Sequence, residues 1–107
     1  MTLTRDFKDT IRARAQRDSG FRKALLQEGI ECLLAGDMDT GKAVLRDYIN
    51  ATIGFEDLSV VFGKSSKSLM RMFGPKGNPQ ASNLFGIIGY LQEHEGIHLE
   101  VKARKVA

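Results

Sequence analysis

The sequence predicts an all-α fold: a bundle of about five to six helices with a short C-terminal β-strand. Three observations carry this. Apolar residues recur at i, i+3 and i+4 along most of the chain, the spacing of one buried helix face. Glycines and Asp or Ser residues fall between these runs, where helices stop and start. After Gly96 the pattern changes to apolar–polar alternation, the period of a strand.

The first helix is expected over about Thr4 to Arg17, where Leu3, Phe7, Ile11 and Ala15 form one narrow apolar stripe. Its other faces carry Arg5, Lys8, Arg12, Arg14 and Arg17. Asp18-Ser19 breaks the pattern and offers N-cap oxygens to a second helix, about Ser19 to Ala35. There Phe21, Leu25, Leu26, Ile30, Leu33 and Leu34 make a broad apolar face, and Gly29 marks a place for close approach by another helix. Gly36 reads as the C-terminal stop. Asp37 or Asp39 caps a third helix, Met38 to about Ala51, which buries Val44, Leu45, Tyr48 and Ile49. The connection is so short that the second and third helices should pack as an antiparallel pair.

Gly54 opens a new pattern. A short helix over Phe55–Phe62 turns Leu58 and Phe62 inward and ends at Gly63. Ser65 or Ser66 caps another short helix reaching Phe73, with Leu69, Met72 and Phe73 toward the core. Gly74-Pro75-Lys76-Gly77-Asn78-Pro79 is a loop, because its prolines and glycines suit neither helix nor ladder. The last helix, about Gln80 to Glu93, carries Leu84, Phe85, Ile87, Ile88 and Leu91, while Gly86 and Gly89 either weaken it or let a neighbour pack closely. Ile97–Val101 then alternates as a strand. A lone strand is not stable, so a second copy of the chain is the simplest pairing partner.

With 107 residues the chain suits a single domain: a helical part over 1–53, two short helices and a following helix over 54–95, and a strand and tail over 96–107. Hydrophobic residues make up 42% and charged residues 27%, enough for both a core and a solvated surface. No run of about eighteen apolar residues is present to span a membrane, and the polar N-terminus lacks the apolar stretch of a secretory signal. The single Cys32 falls on an apolar stripe, where it reads as a small buried hydrophobe. Together these features point to the cytoplasm. The balance of 16 Lys+Arg against 13 Asp+Glu is only mildly basic, but its distribution is uneven. From Leu58 to Gln92 the chain holds Lys64, Lys67, Arg71 and Lys76 and no acid, so a polyanion can approach there without repulsion.

That stretch contains the informative motif. A helix-turn-helix needs an apolar and a small residue on its first helix, a glycine at φ > 0 in the turn, and an apolar anchor on its second helix. Leu58, Ser59, Gly63 and Leu69 fill these places in order. With Leu69 and Met72 inward, Ser66, Lys67, Met70 and Arg71 share the outward face, which enters the DNA major groove in this motif. Ser66 and Lys67 are best placed for base edges, and Arg71 for a guanine edge or a phosphate. Met70 can meet a thymine methyl or act as filler. Lys64 and Lys76 flank the helix as phosphate contacts, and backbone N–H groups near Asn78 add another.

Other chemistry is expected to be absent. His94 and His98 stand four apart, but Gly96 between them separates a helix end from a strand, and no third metal ligand is visible. The Gly74-Pro75-Lys76-Gly77 loop lacks the Gly-Lys-Ser/Thr ending of a nucleotide-binding loop. No catalytic set, metal site or cofactor is expected.

The stretch Phe55–Leu91 resembles the lambda-repressor/Cro-type helix-turn-helix family through the motif, the Asn78-Pro79 pair and the Leu84…Leu91 spacing. The segments Thr40–Asn50 and Lys67–Pro79 further resemble the antitoxin (antidote) proteins of bacterial type II toxin–antitoxin modules. The resemblance implies a lambda-repressor-like bundle and a homodimer that represses its own operon at a palindromic operator. It also implies a small basic RelE-like toxin as partner, and recognition-helix positions at Ser66, Lys67, Ser68 and Arg71. Gly54 departs from the Thr or Ser cap frequent in the wider family. Two other readings stay open: a prophage or metabolic repressor without a toxin, and a protein-interaction module that does not bind DNA.

Overall fold

Side-chain caps set three of the helix starts in the computed structural model, which describes residues 5–106. Asp18 Oδ1 accepts from the Phe21 N–H at 3.1 Å, Asp37 Oδ1 from the Thr40 N–H at 3.2 Å, and Ser65 Oγ from the Ser68 N–H at 3.1 Å. Each satisfies an amide that the first helical turn leaves without a partner. The elements run α1 (Arg5–Arg17), α2 (Ser19–Leu34), α3 (Met38–Ala51), α4 (Phe55–Phe62), α5 (Ser66–Met72) and α6 (Ala81–Glu95). The fold is all-α, and among the described residues no helix is long and apolar enough to cross a membrane.

The antiparallel pair α2–α3 makes the most extensive helix–helix contact. Gly29 and Gly41 allow it: a Cβ on Gly29 would lie 2.9 Å from Leu45 Cδ2, and one on Gly41 would lie 2.9 Å from Leu33 Cγ. Leu26, Leu45, Tyr48 and Ile49 from this pair meet Phe55, Leu58, Leu69 and Phe73 of the α4–α5 region and Leu84, Ile87, Ile88 and Leu91 of α6 in one buried cluster.

A buried polar junction closes the same bundle at the other end of α6. Glu95, only 5% exposed at its side chain, accepts from the Tyr48 hydroxyl at 2.6 Å and from Arg22 Nε at 3.1 Å. Arg22 Nη1 also donates to the Ala15 carbonyl at 2.7 Å, so side chains from α2, α3 and α6 and the backbone of α1 share one network. Burial, with the neighbouring Glu95 carboxylate, raises the Tyr48 hydroxyl well above its ordinary value.

Several expectations need correction. No strand exists among the described residues, and Ile97–Val101 has no ladder partner. Its alternation has another cause: Ile97 and Leu99 pack against the core cluster, while His98 and Glu100 face outward. Gln92 replaces a neighbouring strand, its carbonyl accepting from the Ile97 N–H at 3.0 Å and its Oε1 from the Leu99 N–H at 2.8 Å. Cys32 is half-buried rather than in the core. Of the α1 stripe, Ala15 is buried and Phe7 exposed, while Leu3 and Thr4 lie outside the described residues. Phe62 and Met72 pack at the edge of the core, and Gly89 has no close neighbour.

Candidate nucleic-acid interface

The α4–α5 unit is built around a three-residue connection. Gly63 adopts φ 63°, ψ 26°, a left-handed conformation that a side chain disfavours, and Ser65 caps α5. Gly54, at φ 80°, gives α4 no side-chain cap; Glu56 and Asp57 in its first turn partly compensate by facing the positive end of the helix. Leu58 and Leu69 are fully buried, and the Phe55 and Phe73 rings stand 6.1 Å apart at 56°. These anchors fix which side of α5 faces out.

On that side Lys67, Ser68, Met70 and Arg71 are exposed, Met70 by 46%, while Ser66 is half-buried at the start of the helix. Lys64 is exposed in the turn before α5. Ser68, Arg71, Lys76 and Asn78 come together around a hollow of about 210 Å³ between α5 and the loop that follows it. Lys64 and Lys67 lie outside this hollow. Among the described residues none of Lys64, Lys67, Arg71 and Lys76 forms an ion pair, so their charges stay available to a ligand.

The position of the 74–79 loop depends on residues that sequence reasoning passed over. Lys42 on α3 is only 4% exposed, and its Nζ donates to the Gly74 carbonyl at 3.0 Å and the Gly77 carbonyl at 2.6 Å. Its signal was spacing: Lys42 precedes Leu45 and Ile49 at i, i+3 and i+7, on the inward face of α3. Gly77 is the second such residue. A Cβ there would overlap the Arg71 carbonyl oxygen and lie 2.7 Å from that of Met72, so only glycine lets the loop close onto the end of α5. The sequence marks Gly77 as a loop glycine but cannot say what it touches.

No family model, curated protein or solved structure matches the chain. What the site can do rests on its own geometry. It presents four cations without an ion-pair partner among the described residues, with hydroxyls and an amide, on α5 and the segments that flank it, an arrangement suited to a polyanion.

Proposed function

We propose that the chain is a sequence-specific, double-stranded DNA-binding transcription regulator of the lambda-repressor-like type, with α4–α5 as its helix-turn-helix. In this reading α5 enters the major groove. Ser66, Lys67, Ser68 and Met70 face base edges, Arg71 takes a guanine edge or a phosphate, and Lys64, Lys76 and the backbone near Asn78 hold phosphates. The observation that carries it is the acid-free outer side of α5, whose exposed Lys67 and Arg71 have no ion-pair partner among the described residues while Leu69 and Phe73 anchor the opposite side. Solvated lysines on an ordinary surface helix are usually interspersed with acids. Here none occurs between Leu58 and Gln92.

The biological setting we propose is that of a cytoplasmic antitoxin, a homodimer that represses its own operon and neutralises a small basic RelE-like toxin. Its support is the likeness of Thr40–Asn50 and Lys67–Pro79 to antitoxins. Two recognition helices in a homodimer would meet half-sites about 34 Å apart on a near-palindromic operator.

Titration against a duplex from upstream of the chain's own operon, beside a scrambled duplex and across a salt series, tests the DNA reading. Binding should be tight, selective and steeply salt-dependent. Arg71→Ala should weaken operator binding by about 1–3 kcal/mol if the residue reads a base, and should weaken all duplexes equally if it holds a phosphate. Weak, equal binding to both duplexes, unchanged by Lys67→Ala/Arg71→Ala, overturns the reading. A small basic protein encoded next to the chain that co-purifies with it supports the antitoxin role, and its absence favours a repressor without a toxin.

A further inference from the structure

A hollow of about 450 Å³ lies between α2, α6 and the segment after Gly96. Its floor includes Ile30 and Ile88, and its walls carry large apolar side chains left in water: Leu34 is 63% exposed, Phe85 62% and Val101 81%. These side chains stand beside Gln27, Glu31, Gln92, His98 and Glu100, so the lining is part apolar and part polar.

The charge around the groove defines the occupant. From Ala24 to Gly41 the chain holds Glu28, Glu31, Asp37 and Asp39 and no Lys or Arg, and Glu31 and Glu100 line the groove itself. Glu28 and Glu31 lie on the last turns of α2, and Asp37 caps α3 just beyond it. The Cys32 thiol there is raised above its ordinary value by burial and by Asp37, Glu28 and Glu31. The groove therefore suits an extended segment that is both apolar and basic.

The chain carries such a segment. After Leu99, whose N–H is held by Gln92, Val101-Lys102-Ala103-Arg104-Lys105-Val106 runs exposed and without regular structure. Val106 is 84% exposed, and among the described residues Lys102, Arg104 and Lys105 form no ion pair. Alternation puts Val101, Ala103 and Lys105 on one side of the extended chain and Lys102, Arg104 and Val106 on the other. Val101 already lines its own groove, and residues 102–106 do not.

We propose that this groove seats the basic tail Lys102–Val106 of a second copy of the chain, the two tails being exchanged reciprocally about a twofold axis. One five-residue segment covers too little surface for a stable complex, whereas a reciprocal exchange makes the contact twice and adds the α2–α6 surfaces between the tails. The exchange replaces strand pairing at Ile97–Val101, because Ile97 and Leu99 are engaged with their own core. It takes up the homodimer of the DNA-binding reading but is tested without DNA.

The test is the solution mass of the full chain by light scattering at micromolar concentration. Two variants accompany it: a chain lacking residues 102–107, with an intact groove, and Phe85→Lys, with an intact tail. Phe85 is exposed, so far-UV helicity should be unchanged in that variant. The full chain should have twice its 11.9 kDa mass, with dissociation increasing as salt is raised, and each variant alone should be a monomer. A monomeric full chain, or a dimer that survives either change, overturns the exchange. Operator selectivity measured in parallel can persist in both cases, so the DNA reading stands or falls separately.

Discussion

Replacing Lys42 by Met keeps most of the side-chain volume and removes the donors that hold the loop after α5. In the structure the Lys42 ammonium is 4% exposed and bonds the Gly74 and Gly77 carbonyls at 3.0 and 2.6 Å. A hydrogen bond from a charged donor contributes about 1.5–3 kcal/mol, so two contribute roughly 3–6 kcal/mol. Against this stands the cost of keeping an ammonium from water without a carboxylate partner, several kcal/mol in real proteins. The difference predicts a net loss of about 1–3 kcal/mol for Lys42→Met. For a domain of this size that lowers Tm by roughly 5–20 °C. The same loop carries Lys76 and Asn78, so under the DNA-binding reading proposed above operator affinity should fall by about tenfold, or about 1.4 kcal/mol, with discrimination against a scrambled duplex retained. Thermal unfolding followed by circular dichroism, and operator titration well below the lowered Tm, measure the two effects. A variant as stable as the parent would mean that desolvation cancels the two bonds, and would refute the reasoning that Lys42 stabilises the fold through them. Lower stability with unchanged operator affinity would separate the clamp from DNA binding.

Two glycines should respond oppositely to alanine. Gly77→Ala drives a methyl into the carbonyls of Arg71 and Met72 and should cost about 1–3 kcal/mol in urea unfolding. Gly89→Ala, inside α6 with nothing within 4 Å, should stabilise by about 0.5–1 kcal/mol; a loss there would reveal a neighbour on that face. The Tyr48 hydroxyl, raised above its ordinary value of 10.0 by burial and by Glu95, gives a pH signature. Above that value the unfolded chain releases this proton while the folded chain keeps it. The contribution is therefore full below about pH 9 and declines above pH 10, at up to about 1.4 kcal/mol per pH unit. Tyr48→Phe removes this part of the alkaline slope, and equal slopes from pH 9 to 11 in parent and variant would refute the assignment.

Much of the fold was legible because its boundaries are local chemistry. Asp18, Asp37 and Ser65 cap the next helix through their own side chains, and Gly63 takes the left-handed turn that its place between two apolar runs requires. The α2–α3 pairing was legible in the short connection and Gly29. The C-terminal segment misled because period-two alternation records only that one side of an extended chain is buried. It does not say whether a strand or a helix covers that side, and here α6 covers it through Gln92. The bonds that join distant parts of the chain left little trace. Arg22 and Glu95 stand 73 positions apart, and nothing near either residue announces the other. The exposed candidates on α5 followed from fixing Leu69 inward, whereas Lys42 stayed hidden because a lysine on an apolar face reads as a surface residue whose stem lies along the core.

The length of α5 gives these hidden residues functional weight. A helix of seven residues is far too short to persist alone in water, so its orientation must be imposed by its surroundings. Leu69 and Phe73 fix its rotation, the Ser65 cap fixes its start, and at its end Gly77 packs on the Arg71 and Met72 carbonyls while Lys42 pins the loop from α3. Side chains on such a helix are only as well placed as these supports. Substitutions in α3 that never touch a ligand can therefore change affinity through α5 and its loop. By the same reasoning, substitutions at Lys67 or Arg71, which support nothing in the core, should change binding while leaving unfolding within about 0.5 kcal/mol of the parent.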